Sequence, residues 1–168
     1  MESRCGDRAR QAPVVYSVGH STRPTDVFVG MLREAGVTRL ADVRRIPRSA
    51  RHPQFNADRL AQSLAEAGID YRHLVALGGR RHAPKHRVSR NTLWRVESFR
   101  NYADYAETPE FASALNELEG LAREQPTAFM CAELCGGAAT AVSLPITCSR
   151  GAGGSSICSR LVSRRRHP

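Results

Sequence analysis

The chain has 168 residues and an apolar content of 41%, which suits one globular domain and leaves too little length for two. No stretch approaches the roughly 20 apolar residues of a membrane-spanning helix, so we expect no membrane partner. Residues 1–8 lack the apolar core of a signal peptide, which favours a cytoplasmic location. The five cysteines include no CxxC pair, which argues against a zinc knuckle and a disulfide framework. We expect no cofactor and no resident metal.

The net charge of +9 is unevenly distributed along the chain. Residues 1–134 carry 20 basic and 16 acidic side chains, whereas residues 135–168 carry five arginines and no acid. More than half of the excess positive charge therefore lies in the last 34 residues. For this reason the total charge is only weak support for nucleic-acid binding.

Apolar runs alternate with helix signals between residues 14 and 131. The sequence predicts four strands, at residues 14–18, 38–43, 69–74 and 127–131. It predicts four helices, at residues 24–35, 57–67, 99–107 and 109–121, and Asn56 and Thr108 are the predicted N-caps of the second and fourth. A loop of about 20 residues, rich in Arg, His and Gly, follows the third strand, and loops of that length are usually functional or mobile.

This order of elements predicts an α/β fold. We expect a single-domain three-layer sandwich with a mainly parallel, Rossmann-like sheet of about four strands. The domain is predicted to span residues 13–134, after a disordered N-terminus at residues 1–12. Residues 135–168 have little hydrophobic periodicity and are predicted to form an aberrant, disordered basic tail.

Polar or reactive residues follow three of the predicted strands. In chain order they are His20, Ser21, Asp42, Arg44, Cys131 and Glu133. Because ligands bind at the carboxyl ends of the strands in an open parallel sheet, we predict one site there.

The residue types suggest roles in catalysis. We predict Cys131 as a nucleophile, Asp42 and Glu133 as polarising or acid/base groups, and His20 as a proton relay. Structural alternatives are equally consistent with the sequence. His20 would then hydrogen-bond a neighbouring loop, Asp42 would cap the next turn or pair with Arg44, and Cys131 would be an inert apolar residue.

Arginines crowd the predicted loop at residues 44–52. Arg44 and Arg48, with Ser21, are predicted to bind a small anionic ligand, because a guanidinium offers forked donors to phosphate, sulfate or carboxylate. The alternative function is a nucleic-acid or nucleotide binding module that uses the basic loops 44–52 and 78–90, with an affinity that falls steeply with salt. A metal site formed by His20, Cys131 and Glu133 ranks below both, because no local ligand spacing supports it.

Several short segments together resemble a known family. They are residues 16–21, 42–49, 53–56, 77–79, 99–102 and 130–133, with Tyr71. In this order they resemble the DUF488 family (domain of unknown function 488), and the resemblance covers residues 14–134. It implies a small cytoplasmic α/β protein whose biochemistry is mostly unassigned.

The family pattern continues with a Cys-His-Arg triplet that opens a helix, followed by a last strand, and this chain lacks the triplet. One permitted back-translation of residues 134–146, read in another frame, recovers such a triplet and an amphipathic helix. We therefore interpret residues after about Leu134 as the product of a frameshift that removes the family's C-terminal helix and strand and impairs the site. Genomic bases at Cys135 that cannot encode the alternative reading would rule this hypothesis out.

Overall fold

A computed structural model describes residues 14–82, 89, 91, 93–131, 147–148 and 158–161, with only the backbone for Val14 and the last two segments. The helices are α1 (Thr25–Glu34), α2 (Ala57–Glu66), α3 (Glu97–Ala106) and α4 (Pro109–Glu124). The strands are β1 (Val14–Gly19), β2 (Arg39–Asp42), β3 (Asp70–His73), β4 (Thr127–Cys131), β5 (Thr147–Cys148) and β6 (Cys158–Leu161). Two 3-10 turns lie at Pro53–Phe55 and Val75–Leu77.

The strands form one sheet in the order β3-β2-β4-β1-β6-β5. The first four of these are parallel to one another, and β6 pairs antiparallel with β1 and with β5. The prediction of an α/β fold with a mainly parallel sheet of about four strands is thereby confirmed, and the arrangement is consistent with a Rossmann-like sheet.

Helices cover both faces of the parallel sheet. On one face α1 and α2 pack on Val18, Leu40 and Met130, together with the buried ring of Phe55. On the other face α3 and α4 pack on Val15 and Ala41, with the partly buried Phe129. Neighbouring residues of a strand therefore belong to different cores, as the two-residue period of a strand requires.

The division of the helices between the faces follows from the strand order. From β1 to β2 and from β2 to β3 the chain moves across the sheet in one direction, and from β3 to β4 it moves back. Because parallel crossovers are right-handed, this reversal places α3 and α4 on the face opposite α1 and α2. The loops that follow β2 and β3 consequently leave the sheet toward opposite faces.

The predicted caps differ in outcome. Thr108 caps α4, since its Oγ1 accepts a hydrogen bond from the Phe111 N–H at 3.3 Å. Asn56 does precede α2, but its side chain makes no capping bond. The Asn56 Oδ1 instead accepts a hydrogen bond from the Ser49 N–H at 2.8 Å, so this amide closes the preceding loop.

Little of the predicted tail is described. Residues 1–12 and most of residues 135–168 lie outside the described residues, and only β5 and β6 fall within the tail. The predicted domain limits and the frameshift stay predictions. Of the helices that the structure does describe, none has the length and apolar character needed to cross a membrane.

Gly78 marks a close approach between the loops that follow β2 and β3. A Cβ at this position would lie 2.7 Å from the Arg45 backbone nitrogen and 2.9 Å from the Val43 carbonyl oxygen. A Cβ on the adjacent Gly79 would meet nothing within 4 Å. The two glycines therefore form a matched pair for testing this contact.

We predict that Gly78→Ala lowers the free energy of unfolding by about 1–3 kcal/mol, because two backbone segments must separate to admit the methyl group. Gly79→Ala should change it by less than about 0.5 kcal/mol. Urea unfolding followed by circular dichroism measures both values. Equal midpoints for the two variants would show that the loops are not in contact.

Candidate functional site

The four parallel strands end side by side at their carboxyl ends. Asp42 of β2 pairs with His73 of β3 and with Met130 of β4, while Gly19 of β1 pairs with Cys131 of β4. The backbone pairing continues to His20, whose N–H donates to the Cys131 carbonyl at 3.4 Å. The backbones of His20, Asp42 and Cys131 therefore lie along one rim of the sheet.

The side chains at this rim divide between the two faces. Asp42 alternates with Ala41 and lies on the α1/α2 face, where it contacts Tyr71. Cys131 is half-buried and has the same parity in β4 as Phe129, which places it on the α3/α4 face. The structure thus brings His20, Asp42 and Cys131 to one rim, but the sheet lies between the side chains of Asp42 and Cys131.

Asp42 and Arg44 form a buried, two-pronged ion pair. The Arg44 Nη2 donates to Asp42 Oδ2 at 2.6 Å, and its Nε donates to Asp42 Oδ1 at 2.9 Å. The Arg44 backbone N–H also donates to Asp42 Oδ1, at 3.0 Å. The side chain of Asp42 is fully buried, and that of Arg44 is 8% exposed. Both structural alternatives for Asp42, the turn cap and the pair with Arg44, are therefore present.

Two further residues, which the sequence did not indicate as site residues, complete this cluster. The Tyr71 hydroxyl donates to Asp42 Oδ2 at 2.8 Å, and the Arg44 Nη2 donates to the Phe55 carbonyl at 2.8 Å. Burial, with the negative charge of Asp42, raises the pKa of Tyr71 well above its usual range, so this hydroxyl stays protonated. The Nε and Nη2 groups of Arg44, which was predicted as an anion clamp, donate to Asp42 and to the Phe55 carbonyl.

His20 packs against this cluster on the α1/α2 face. Its ring is 5% exposed and stacks on Phe55 with ring centroids 4.4 Å apart. Nδ1 lies 2.9 Å from the Ser21 carbonyl, a contact that requires the proton on Nδ1 and leaves the lone pair on Nε2. Ser21 adopts a left-handed backbone with φ of 48°. Burial lowers the pKa of His20, and the charges of Arg44 and His52 act in the same direction.

The remaining predicted site residues are less informative. Arg48 is exposed, and Ser21 takes part through its carbonyl. Glu133 lies outside the described residues, so its predicted role is untested. Within the part of the chain that the structure describes, no three His, Cys, Asp or Glu side chains lie close enough to hold a metal ion.

A groove with a volume of about 820 Å³ lies at the carboxyl ends of β2 and β3. Its lining comes from the loop after β2, the loop after β3 and the first turns of α3. The lining residues are Arg45, Ile46, Val75, Arg80, Arg81, His82, Glu97, Ser98 and Asn101. Since the loops after β2 and β3 leave toward opposite faces, this groove occupies a topological switch point, where ligands of open α/β sheets bind.

The three arginines of the groove differ in how many hydrogen bonds they make to the protein. Arg81 donates to the carbonyls of Gly78, Val75 and Ala76, and its guanidinium lies 3.7 Å from the centroid of the Tyr105 ring. Arg45 and Arg80 are exposed, and the Arg45 Nη1 donates to the Arg80 carbonyl. Arg81 therefore shapes the groove, while Arg45 and Arg80 present charge to solvent.

The fold and the strand-end cluster define an α/β protein with a two-faced parallel sheet and a basic groove at its switch point. The sequence profile described as Domain of unknown function DUF488 matches residues 24–136, about two thirds of the chain. The protein belongs to this family, as the sequence resemblance indicated. Searches of curated proteins and of solved structures gave no match.

His20 should make stability depend on pH. Since its pKa in the folded protein lies below the ordinary value of 6.5, the unfolded chain binds more protons between the two values. The free energy of unfolding should therefore fall as the pH drops from 6.5 toward the folded pKa. We predict that His20→Gln reduces the difference between the free energies of unfolding at about pH 5 and about pH 7.5, both measured by urea unfolding.

The exposed His82 provides the control, and His82→Gln should keep the dependence of the unchanged protein. If His20→Gln leaves the pH dependence unaltered, the imidazole of His20 is not held neutral by its burial.

Proposed function

We propose that the protein binds a small anionic ligand in the groove between the loops that follow β2 and β3. The observation that carries this proposal is the presence of Arg45 and Arg80, from two different loops, in one groove at the switch point. This is the position at which the fold collects side chains from both directions of the chain.

The charge of the lining supports an anion as the ligand. Three guanidiniums and one carboxylate, that of Glu97, line the groove, so the balance is positive before His82 is counted. Guanidiniums bind phosphate and carboxylate groups through paired hydrogen bonds, and they keep their charge at any physiological pH.

The proposal changes the assignment of the anion-binding residues. Arg44 and Arg48 were the arginines predicted from the sequence, but the Nε and Nη2 groups of Arg44 donate to Asp42 and to the Phe55 carbonyl. Arg45 and Arg80 take the anion-binding role. Arg44 supports them by fixing the loop that carries Arg45.

We predict that Arg45→Gln and Arg80→Gln each weaken the binding of inorganic pyrophosphate by about tenfold or more, since each removes a charged hydrogen-bond donor. Isothermal titration calorimetry gives the dissociation constants. Arg33→Gln is the matched control, because Arg33 is an exposed arginine in the last turn of α1, away from the groove. Equal losses in all three variants would mean that only the overall charge matters.

The alternative of nucleic-acid or nucleotide binding through loops 44–52 and 78–90 uses arginines of the same two loops. It differs in the number of phosphates bound at once. A long nucleic acid makes the affinity fall steeply with salt, whereas a single small anion in one groove gives a shallow dependence. A steep salt dependence for an oligonucleotide, with no binding of pyrophosphate, would favour the alternative.

Cys131, the last residue of β4, is the proposed nucleophile. Support comes from its strand parity, which places it on the α3/α4 face together with α3, whose first turns line the groove. Positive charge near a thiol favours the reactive thiolate. On the other face of the sheet, Asp42 is proposed to hold the rim in place and His20 to accept a proton. Glu133 is kept as the proposed acid/base group.

We predict that iodoacetamide modifies Cys131 faster in the folded protein than in urea, because a nucleophilic cysteine needs surroundings that raise its thiolate fraction above that of the unfolded chain. Peptide mapping by mass spectrometry gives the rate for Cys131, and added N-acetylcysteine is the reference for reagent activity in both solutions. A rate in the folded protein no higher than in urea would end the assignment of Cys131 as a nucleophile.

A further inference from the structure

The basic groove also has an apolar side. Ile46 and Val75 line it, with side chains that are 59% and 47% exposed. They lie in the two loops that also provide Arg45 and Arg80, so charged and apolar groups alternate around one opening. This combination is the starting observation, and it rests on the anion-binding function proposed above.

An inorganic anion would make no use of Ile46 and Val75. Apolar side chains stabilise a ligand only when the ligand covers them with apolar surface and removes water from both. The mixture of apolar wall and a few charged donors is typical of sites for organic molecules that carry an acidic group.

The size of the groove leads to the same conclusion. A volume of about 820 Å³ lies within the range of roughly 300–1,000 Å³ that is usual for sites of small organic ligands and cofactors. Phosphate or sulfate would fill only a small part of it.

The polar residues of the α3 side restrict the charge of the ligand. Glu97 places a carboxylate in the lining, beside the neutral groups of Ser98 and Asn101. A ligand that is anionic over its whole length would meet this carboxylate unfavourably. A ligand whose negative charge is confined to one end avoids it and can still offer hydrogen-bonding groups to Ser98 and Asn101.

We infer that the groove binds a small organic anion with one localised negative group and an uncharged apolar body, a class that aryl and nucleoside monophosphates represent. Arg45 and Arg80 bind the negative group, and Ile46 with Val75 packs against the body. Because the two parts of the ligand meet different side chains, their contributions can be measured separately.

The test compares inorganic phosphate with phenyl phosphate, which adds an apolar ring to the same anionic group. Titrations followed by NMR chemical shifts give both dissociation constants. We expect phenyl phosphate to bind about tenfold more tightly, the usual scale for one well-packed apolar group. Val75→Thr and Ile46→Thr should each reduce this advantage and leave the affinity for inorganic phosphate unchanged.

Val27→Thr is the matched control, because Val27 is 48% exposed and lies in α1, which packs on the other face of the sheet. It should leave both affinities unchanged. Equal affinities for the two probes would overturn the inference while the proposed function stands, and so would an advantage of phenyl phosphate that survives both threonine variants. If neither probe binds, the inference fails, and the proposed function fails with it when pyrophosphate does not bind either.

Discussion

The buried pair of Asp42 and Arg44 is the interaction on which the carboxyl rim depends. Taking both charges out of water is unfavourable, and the two-pronged geometry with the Tyr71 hydroxyl offsets that loss. Removing one partner of such a pair leaves an uncompensated charge and costs about 3–5 kcal/mol. The pair also determines the position of the 43–56 loop. Arg44 also donates a hydrogen bond to the Phe55 carbonyl and so holds this loop against the sheet. The Phe55 ring, held in this way, provides the surface on which His20 stacks.

The same pair affects the groove on the other side of the chain. Arg45 follows Arg44 directly and lines the groove, while the Arg44 side chain is held on Asp42. The backbone here is held a second time, since His73 Nε2 lies 2.7 Å from the Arg44 carbonyl and Gly78 allows the next loop to approach Arg45 closely. A structural ion pair on the α1/α2 face therefore fixes the loop that carries Arg45, one of the residues that line the groove with α3.

The sequence was sufficient for the fold because its signals are local. The hydrophobic period of each element, the glycines that end the helices and the Thr108 cap all act within a few residues. The right-handedness of parallel crossovers then leaves few possible topologies. The site was predicted less well because its contacts join distant residues. The residues around Tyr71 and Phe55 in the sequence do not indicate that either one contacts the Asp42–Arg44 pair.

The groove and the candidate nucleophile have different relations to the unusual C-terminal sequence. Every lining residue lies between Arg45 and Asn101, within elements that precede β4. Cys131 is the last residue of β4, and the helix expected after Glu133 falls in the part of the chain where the family pattern is lost. An altered reading frame after Leu134 would therefore impair a reaction at Cys131 while leaving the basic and apolar walls of the groove in place. Ligand binding without thiol reactivity is the combination that this division of the chain favours.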